Sequence, residues 1–156
     1  MHIGFVGSRH LKGPALAAAG QILATLPPGA IPLTGCCPSG LDSAVRTWCT
    51  THGVPLHVFR ASSRSAAVLR ARTIQLVQAS NLVLSFPLNP CPIRSGSWLA
   101  VWSAVRVGVP VLVHLPGVPA SALPRLVGVT GWQGAALPFC PSIPFFAPVI
   151  SQSSFF

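Results

Sequence analysis

Five short apolar runs punctuate this chain: HIGFVG (2–7), AIPLTG (30–35), PLHVF (55–59), NLVLSF (81–86) and PVLVHL (110–115). Each is strand-length, and each is followed by a stretch of another character. Residues 14–26, PALAAAGQILATL, read as a helix with Pro14 in its first turn, where a missing N–H costs nothing. Pro27, Pro28 and Gly29 stop it. Residues 40–52 read as a second helix ending at Gly53, and residues 65–79 as a third. In the third, Ala66, Leu69, Thr73, Leu76 and Val77 are spaced for one buried face. Residues 96–107 form a fourth, with Ser95 or Ser97 as its cap. Alternation of this kind, with short connections, predicts βαβ units with right-handed crossovers. The strand runs are continuously apolar rather than alternating, as expected of a sheet covered on both faces. The expected fold class is therefore α/β, a parallel sheet of about five strands flanked by helices. Pro32 predicts an irregular start to the second strand.

Beyond residue 116 the pattern decays. SALPRLVGV (121–129) reads as a short helix leading to a small strand. Residues 138–156, PFCPSIPFFAPVISQSSFF, hold five of the eight phenylalanines. Such a segment must cover a surface, on its own domain or on another subunit. The expected division is a domain over 1–137 and an apolar Pro/Phe-rich C-terminal arm over 138–156. Apolar helix and tail surfaces also predict a homo-oligomer. Residues 126–156 carry no Lys, Arg, Asp, Glu or His, but Pro138, Pro141, Pro144 and Pro148 exclude a spanning helix there. No membrane partner is expected. MHIGFVGSRH lacks the charged start and apolar run of a signal peptide. Five cysteines, two of them adjacent, do not make a disulfide framework, so a reducing cytoplasm is the expected compartment.

Asp42 is the only acidic residue, against ten Lys and Arg, for a net charge of +9. The cations are scattered, with no basic run. Three turns that follow strands have the character of an anion site: GSRHLKG (7–13), GCCPSGLD (35–42) and SFPLNPCPIRSGSW (85–98). Each combines Gly with Ser or Arg and leads into a helix. Glycine lets a backbone approach a ligand closely, and helix N-termini present N–H groups to anions. In open parallel sheets ligands sit beyond the carboxyl ends of the strands, where the strand order reverses. Common motifs are absent. GCCPSG has Walker-like glycines, but Leu41 and Asp42 stand where Lys and Ser or Thr are required, and no G-x-G-x-x-G follows the first strand.

IGFVGSR, TGCCPSGLDSAV, RARTIQLVQASNLVLSFP and SGSWLAVWSAVRVGVPVLV, in that order, resemble the SLOG superfamily. That group includes DNA-processing protein A, the LOG phosphoribohydrolases and YspA-like proteins. The resemblance covers residues 2–114 and is closest to the YspA-like and DNA-processing branches, where a similar Gly-x-Asp occurs. It implies a Rossmann-like fold with a nucleotide-type pocket. By position the pocket would be lined by Gly7, Ser8 and Arg9, by Gly35, Cys36, Ser39, Gly40 and Asp42, by Arg72, and by Ser95, Gly96 and Ser97. The LOG enzymes rely on a Glu that this chain does not possess, so LOG-type hydrolysis is not expected.

Read as residues, Asp42 has two compatible roles: accepting N–H bonds at a helix start, or binding a ribose hydroxyl or base N–H. Arg70 and Arg72 are two apart on a helix and cannot share a direction, and Arg72 is expected to face the pocket. Cys36 and Cys37 precede a helix, where a thiol pKa can be lowered, but the favoured reading of both is as small, tightly packed residues. Cys37, Cys49 and His52 do not share a face suited to zinc, so no metal or cofactor is expected. No histidine has a partner carboxylate for a Ser-His-Asp relay. The expected function is binding or sensing of a nucleotide-type, phosphorylated ligand rather than catalysis. The alternatives are single-stranded DNA or RNA binding, and glycosidic-bond hydrolysis by Asp42.

Overall fold

All five apolar runs become parallel strands of one sheet. The computed structural model describes residues 1–151 of the 156. The strands are β1 (His2–Gly7), β2 (Ile31–Thr34), β3 (His57–Val58), β4 (Leu82–Phe86) and β5 (Val111–Val113), side by side in the order β3-β2-β1-β4-β5. The helices are α1 (Pro14–Ala24), α2 (Gly40–His52), α3 (Ala66–Gln78) and α4 (Gly96–Val107). Ala18, Ile22 and Leu23 of α1 pack with Leu41, Val45 and Cys49 of α2 against Ile3, Phe5 and Leu84. Val77 of α3 and Trp98, Val101 and Ala104 of α4 pack against Val83, Val111 and Val113. Two buried layers thus cover the two faces, which is why the strands carry no polar alternation.

The chain leaves β1 through α1 toward β2, and leaves β4 through α4 toward β5, on the opposite side. The strand order therefore reverses between β1 and β4. A crevice opens at their carboxyl ends, the position at which doubly wound sheets of order 3-2-1-4-5 bind ligands.

Helix starts follow local chemistry. The Ser65 side chain accepts from the Val68 N–H at 3.3 Å and caps α3. Ser65→Ala is expected to cost about 1 kcal/mol in urea denaturation.

The sheet is larger than the five parallel strands expected from the sequence. β6 (Val129–Leu137) and β7 (Cys140–Ile150) form an antiparallel hairpin, and β7 pairs antiparallel with β5 through Val113 and Phe146. The result is a seven-stranded, partly antiparallel sheet ending β5-β7-β6. The segment expected to be an arm from residue 138 is thus a sheet strand through Ile150, and the part of that expectation falling on 152–156 lies outside the described residues. The helix expected in 121–129 is reduced to a single 3₁₀ turn, Ala120–Ala122.

The prolines of β7 mislead because of where they fall. The Pro144 carbonyl accepts from His114, just past β5, so residue 144 faces that side, and by strand alternation so do 146 and 148. The ladder on that side consists of one bridge, so the missing N–H groups of Pro144 and Pro148 leave few bonds unmade.

Candidate functional site

The turn after β1 and the turn after β2 are tied together by backbone. Ser8 N–H donates to the Phe86 carbonyl at 3.3 Å, fixing the first turn to the end of β4. The Ser8 carbonyl then accepts from the Leu41 N–H at 3.4 Å, and the Ser39 hydroxyl donates to the Arg9 carbonyl at 3.1 Å. Gly40 has φ +68, and a Cβ there would collide with the Ser8 carbonyl oxygen and the Arg9 backbone. Only glycine allows this approach.

Asp42 lies beneath that junction and is 6 % exposed. One oxygen accepts from the Thr34 hydroxyl at 3.2 Å. The other accepts from the Cys37 N–H at 3.1 Å and lies 3.7 Å from Arg72 Nη1. Asp42 is therefore not the cap of α2: Ser39 holds the N-cap position, and Asp42 is in the first turn, reaching back to the preceding loop. Its partners come from β2, the following turn and α3, so the lone carboxylate joins three segments. Both carboxylate oxygens thus have partners within the chain. Arg46, one turn further along α2, donates to the carbonyls of Gly35 and Cys37 at 3.0 and 2.8 Å. The loop between β2 and α2 is thus gripped from both sides. Gly35 leaves room for this pair, since a Cβ there would press on the Asp42 carboxylate and the Arg72 guanidinium.

Above this pair, Gly7, Gly35, Asp42, Arg72 and Gly96 line a recess of about 40 Å³ together with Phe5, Val6, Thr73 and Leu76. The recess is far smaller than the roughly 300–1,000 Å³ of a pocket that encloses a drug-sized ligand. It admits a small group, and anything larger lies across its mouth. The three strand-end turns therefore meet on one rim. Arg72 faces the recess, while Arg70 turns outward, its guanidinium 5.9 Å from the Trp102 ring. Ser8, Arg9 and Ser39 stand on the outer rim and Cys36 beside Arg72. Ser95 caps α4 through the Trp98 N–H. Ser97 is turned inward: it is 4 % exposed, and its carbonyl accepts from Ser85. Trp98 is buried core, its indole N–H bonded to the Asn89 carbonyl at 2.9 Å. Thr34 and Arg46 escaped the sequence reading, although Asp42 and Arg46 stand at i, i+4, a spacing that marks charged neighbours on a helix. In the fold Arg46 spends its donors on loop carbonyls instead.

His114 follows β5 on the same side of the sheet, packed against Phe86 and Phe145. The Pro144 carbonyl can only accept, so Nδ1 carries the proton of their 2.9 Å bond. Burial lowers the His114 pKa, with the Pro144 bond opposing. The unfolded imidazole, with a pKa of about 6.5, then binds protons that the folded one refuses. Its contribution to stability is complete above that pH and is lost as pH falls through it. Urea midpoints should drop below about pH 6.5, and His114→Gln should flatten that part of the profile.

Among the described residues no three of His, Cys, Asp and Glu are grouped to hold a metal ion, and no helix is long and apolar enough to cross a membrane. No protein-family model matches the chain, and no curated protein matches it.

Proposed function

We propose that the rim at the carboxyl ends of β1, β2 and β4 binds the phosphate of a nucleotide-type ligand, and that the protein holds or senses this ligand rather than transforming it. The supporting observation is that Gly7, Gly35 and Gly96, from three separate turns, line one recess at the reversal of strand order. The N-termini of α2 and α4 end there, where helix dipoles favour an anion. Arg9 stands on the rim as a solvent-facing cation. The recess takes an oxyanion-sized group, and the remainder of the ligand lies along the exposed surface of Arg9, His10, Pro38 and Ser39.

Calorimetric titration tests this. A nucleoside monophosphate should bind, and the nucleoside without phosphate should bind at least about tenfold more weakly, the scale of a lost charge-assisted hydrogen bond. Arg9→Gln should weaken the monophosphate to a similar degree while leaving the fold intact. Equal affinity for both compounds would contradict the reading. Native mass spectrometry of the same sample reports retained nucleotide and the expected homo-oligomer together.

Single-stranded nucleic acid is the second reading, favoured by a different observation. Among the described residues the one ion pair is Arg72–Asp42. Arg70 and Arg106 also flank Trp102, with guanidinium carbons 5.9 and 4.6 Å from its ring centroid. Oligonucleotide affinity that falls steeply with salt would support this reading over the first.

A further inference from the structure

The sheet ends in two unlike edges. β3 is two residues long and runs into the exposed Arg60, so it offers another chain little to pair with. β6 is nine residues long and pairs on one side only, with β7. The ladder tells which of its backbone groups are free. In β7, residues 144, 146 and 148 face β5, so 145, 147 and 149 face β6. The Val149 carbonyl accepts from the Thr130 hydroxyl on that side. Opposite 145, 147 and 149 stand Ala135, Gln133 and Gly131. The N–H and C=O groups of Trp132, Gly134 and Ala136 therefore point away from β7, along the open edge. Gln133, Gly134 and Ala136 are exposed, and the connection leading into β6 packs through Leu123 and Leu126 with the α4 layer. Native sheets blunt such an edge with Lys, Pro or a bulge. Residues 131–136 contain no Lys or Pro, and the register shifts lie at the ends of this run.

We propose that the open edge of β6 is the docking surface for β6 of a second copy of this chain, the two strands pairing antiparallel about a twofold axis. The charge distribution favours this occupant. With a net charge of +9, copies repel each other wherever their cations meet, but residues 126–156 hold no charged side chain. The same neutrality gives a charged peptide no counter-charge to find there. The side chains are self-complementary as well. With Gly134 opposite its own copy, Trp132 lies opposite Ala136, large against small, and the outward groups of each strand meet those of the other. Antiparallel pairing lays the start of one β6 beside the end of its partner. It thereby covers Val127, which is 81 % exposed just before the strand, with the apolar turn that follows the other β6. The twofold consumes both β6 edges and leaves only the short β3 edges, so assembly stops at a dimer. The inference does not depend on what the recess binds.

Sedimentation velocity of the full chain should give the mass of a dimer that comes apart on dilution. Gly134→Lys sets like charges opposite each other across the twofold, yet a Cβ at 134 meets nothing within 4 Å, so the fold itself is undisturbed. Its dimer should dissociate at least about tenfold more readily. Gly20→Lys, also in open space but on α1, adds the same charge elsewhere and should leave the dimer as it was. Residue-resolved hydrogen exchange on the unmodified protein, above and below the dissociation range, reads the edge directly and needs no variant to fold. The Trp132, Gly134 and Ala136 amides should be protected in the dimer and exchange freely in the monomer, while those of Gly131, Gln133 and Ala135 stay protected in both. A chain that is monomeric at every soluble concentration, an open-ended polymer, a dimer indifferent to Gly134→Lys, or edge amides that exchange alike in both states would overturn the proposal.

Discussion

Asp42→Ala is expected to destabilise the fold by about 3–5 kcal/mol, because it removes one partner of a largely buried pair and leaves the other charge behind. Three groups lose an acceptor at once: the Arg72 guanidinium, the Thr34 hydroxyl and the Cys37 N–H. Each buried donor left unmatched carries its own desolvation cost. Urea denaturation should show a much lower midpoint with little change in slope. The double variant Asp42→Ala/Arg72→Met should recover much of the loss, since it removes the stranded charge as well. If Asp42→Ala unfolds at the midpoint of the unmodified protein, the carboxylate is not the hub that its contacts describe. A chain with one acid has kept it where three segments meet, and no Ser or Asn could balance the Arg72 charge.

Gly40→Ala is expected to cost about 3 kcal/mol, combining the strain of a left-handed backbone with overpacking. The new methyl would press on the Ser8 carbonyl and the Arg9 backbone, neither of which can rotate away. Gly29 supplies the control. It also has positive φ, at +77, but open space surrounds its would-be Cβ. Gly29→Ala should therefore cost only the conformational part, about 1 kcal/mol. The difference between the two, read from urea midpoints, measures how tightly the first two turns are locked. Loss of phosphate binding in Gly40→Ala at temperatures where it remains folded would show that the lock also shapes the rim.

Much of the parallel half was legible in the sequence. The apolar runs and the Pro and Gly punctuation placed β1 and α4 with the observed bounds, and α2 at Gly40–His52. These segments are decided by local pattern and by burial on both faces. The hairpin was not legible, because four prolines argue against a strand when their partners are unknown. The tolerance of Pro144 and Pro148 depends on a single β5–β7 bridge, which is a property of the assembled sheet, while Pro138 falls in the turn before β7. The site was legible as a set of turns, since glycine before a helix has a backbone meaning wherever it occurs. What each side chain does there was not. Ser97 is polar and follows a turn, yet it points inward. The pairing of Asp42 with the largely buried Arg72 guanidinium of α3 has no local signal, because the two meet only in the assembled fold.

The central claim is that three turns from separate strand ends form one phosphate-binding rim. It is tested most directly by following backbone amide resonances while a nucleoside monophosphate is titrated into the protein. The account predicts saturable shifts at Ser8, Arg9, Gly40 and Gly96, and none in the apolar groove around Trp48 and Val54 at the opposite end of the sheet. Shifts confined to that groove, or a spectrum unchanged at millimolar ligand, would contradict it.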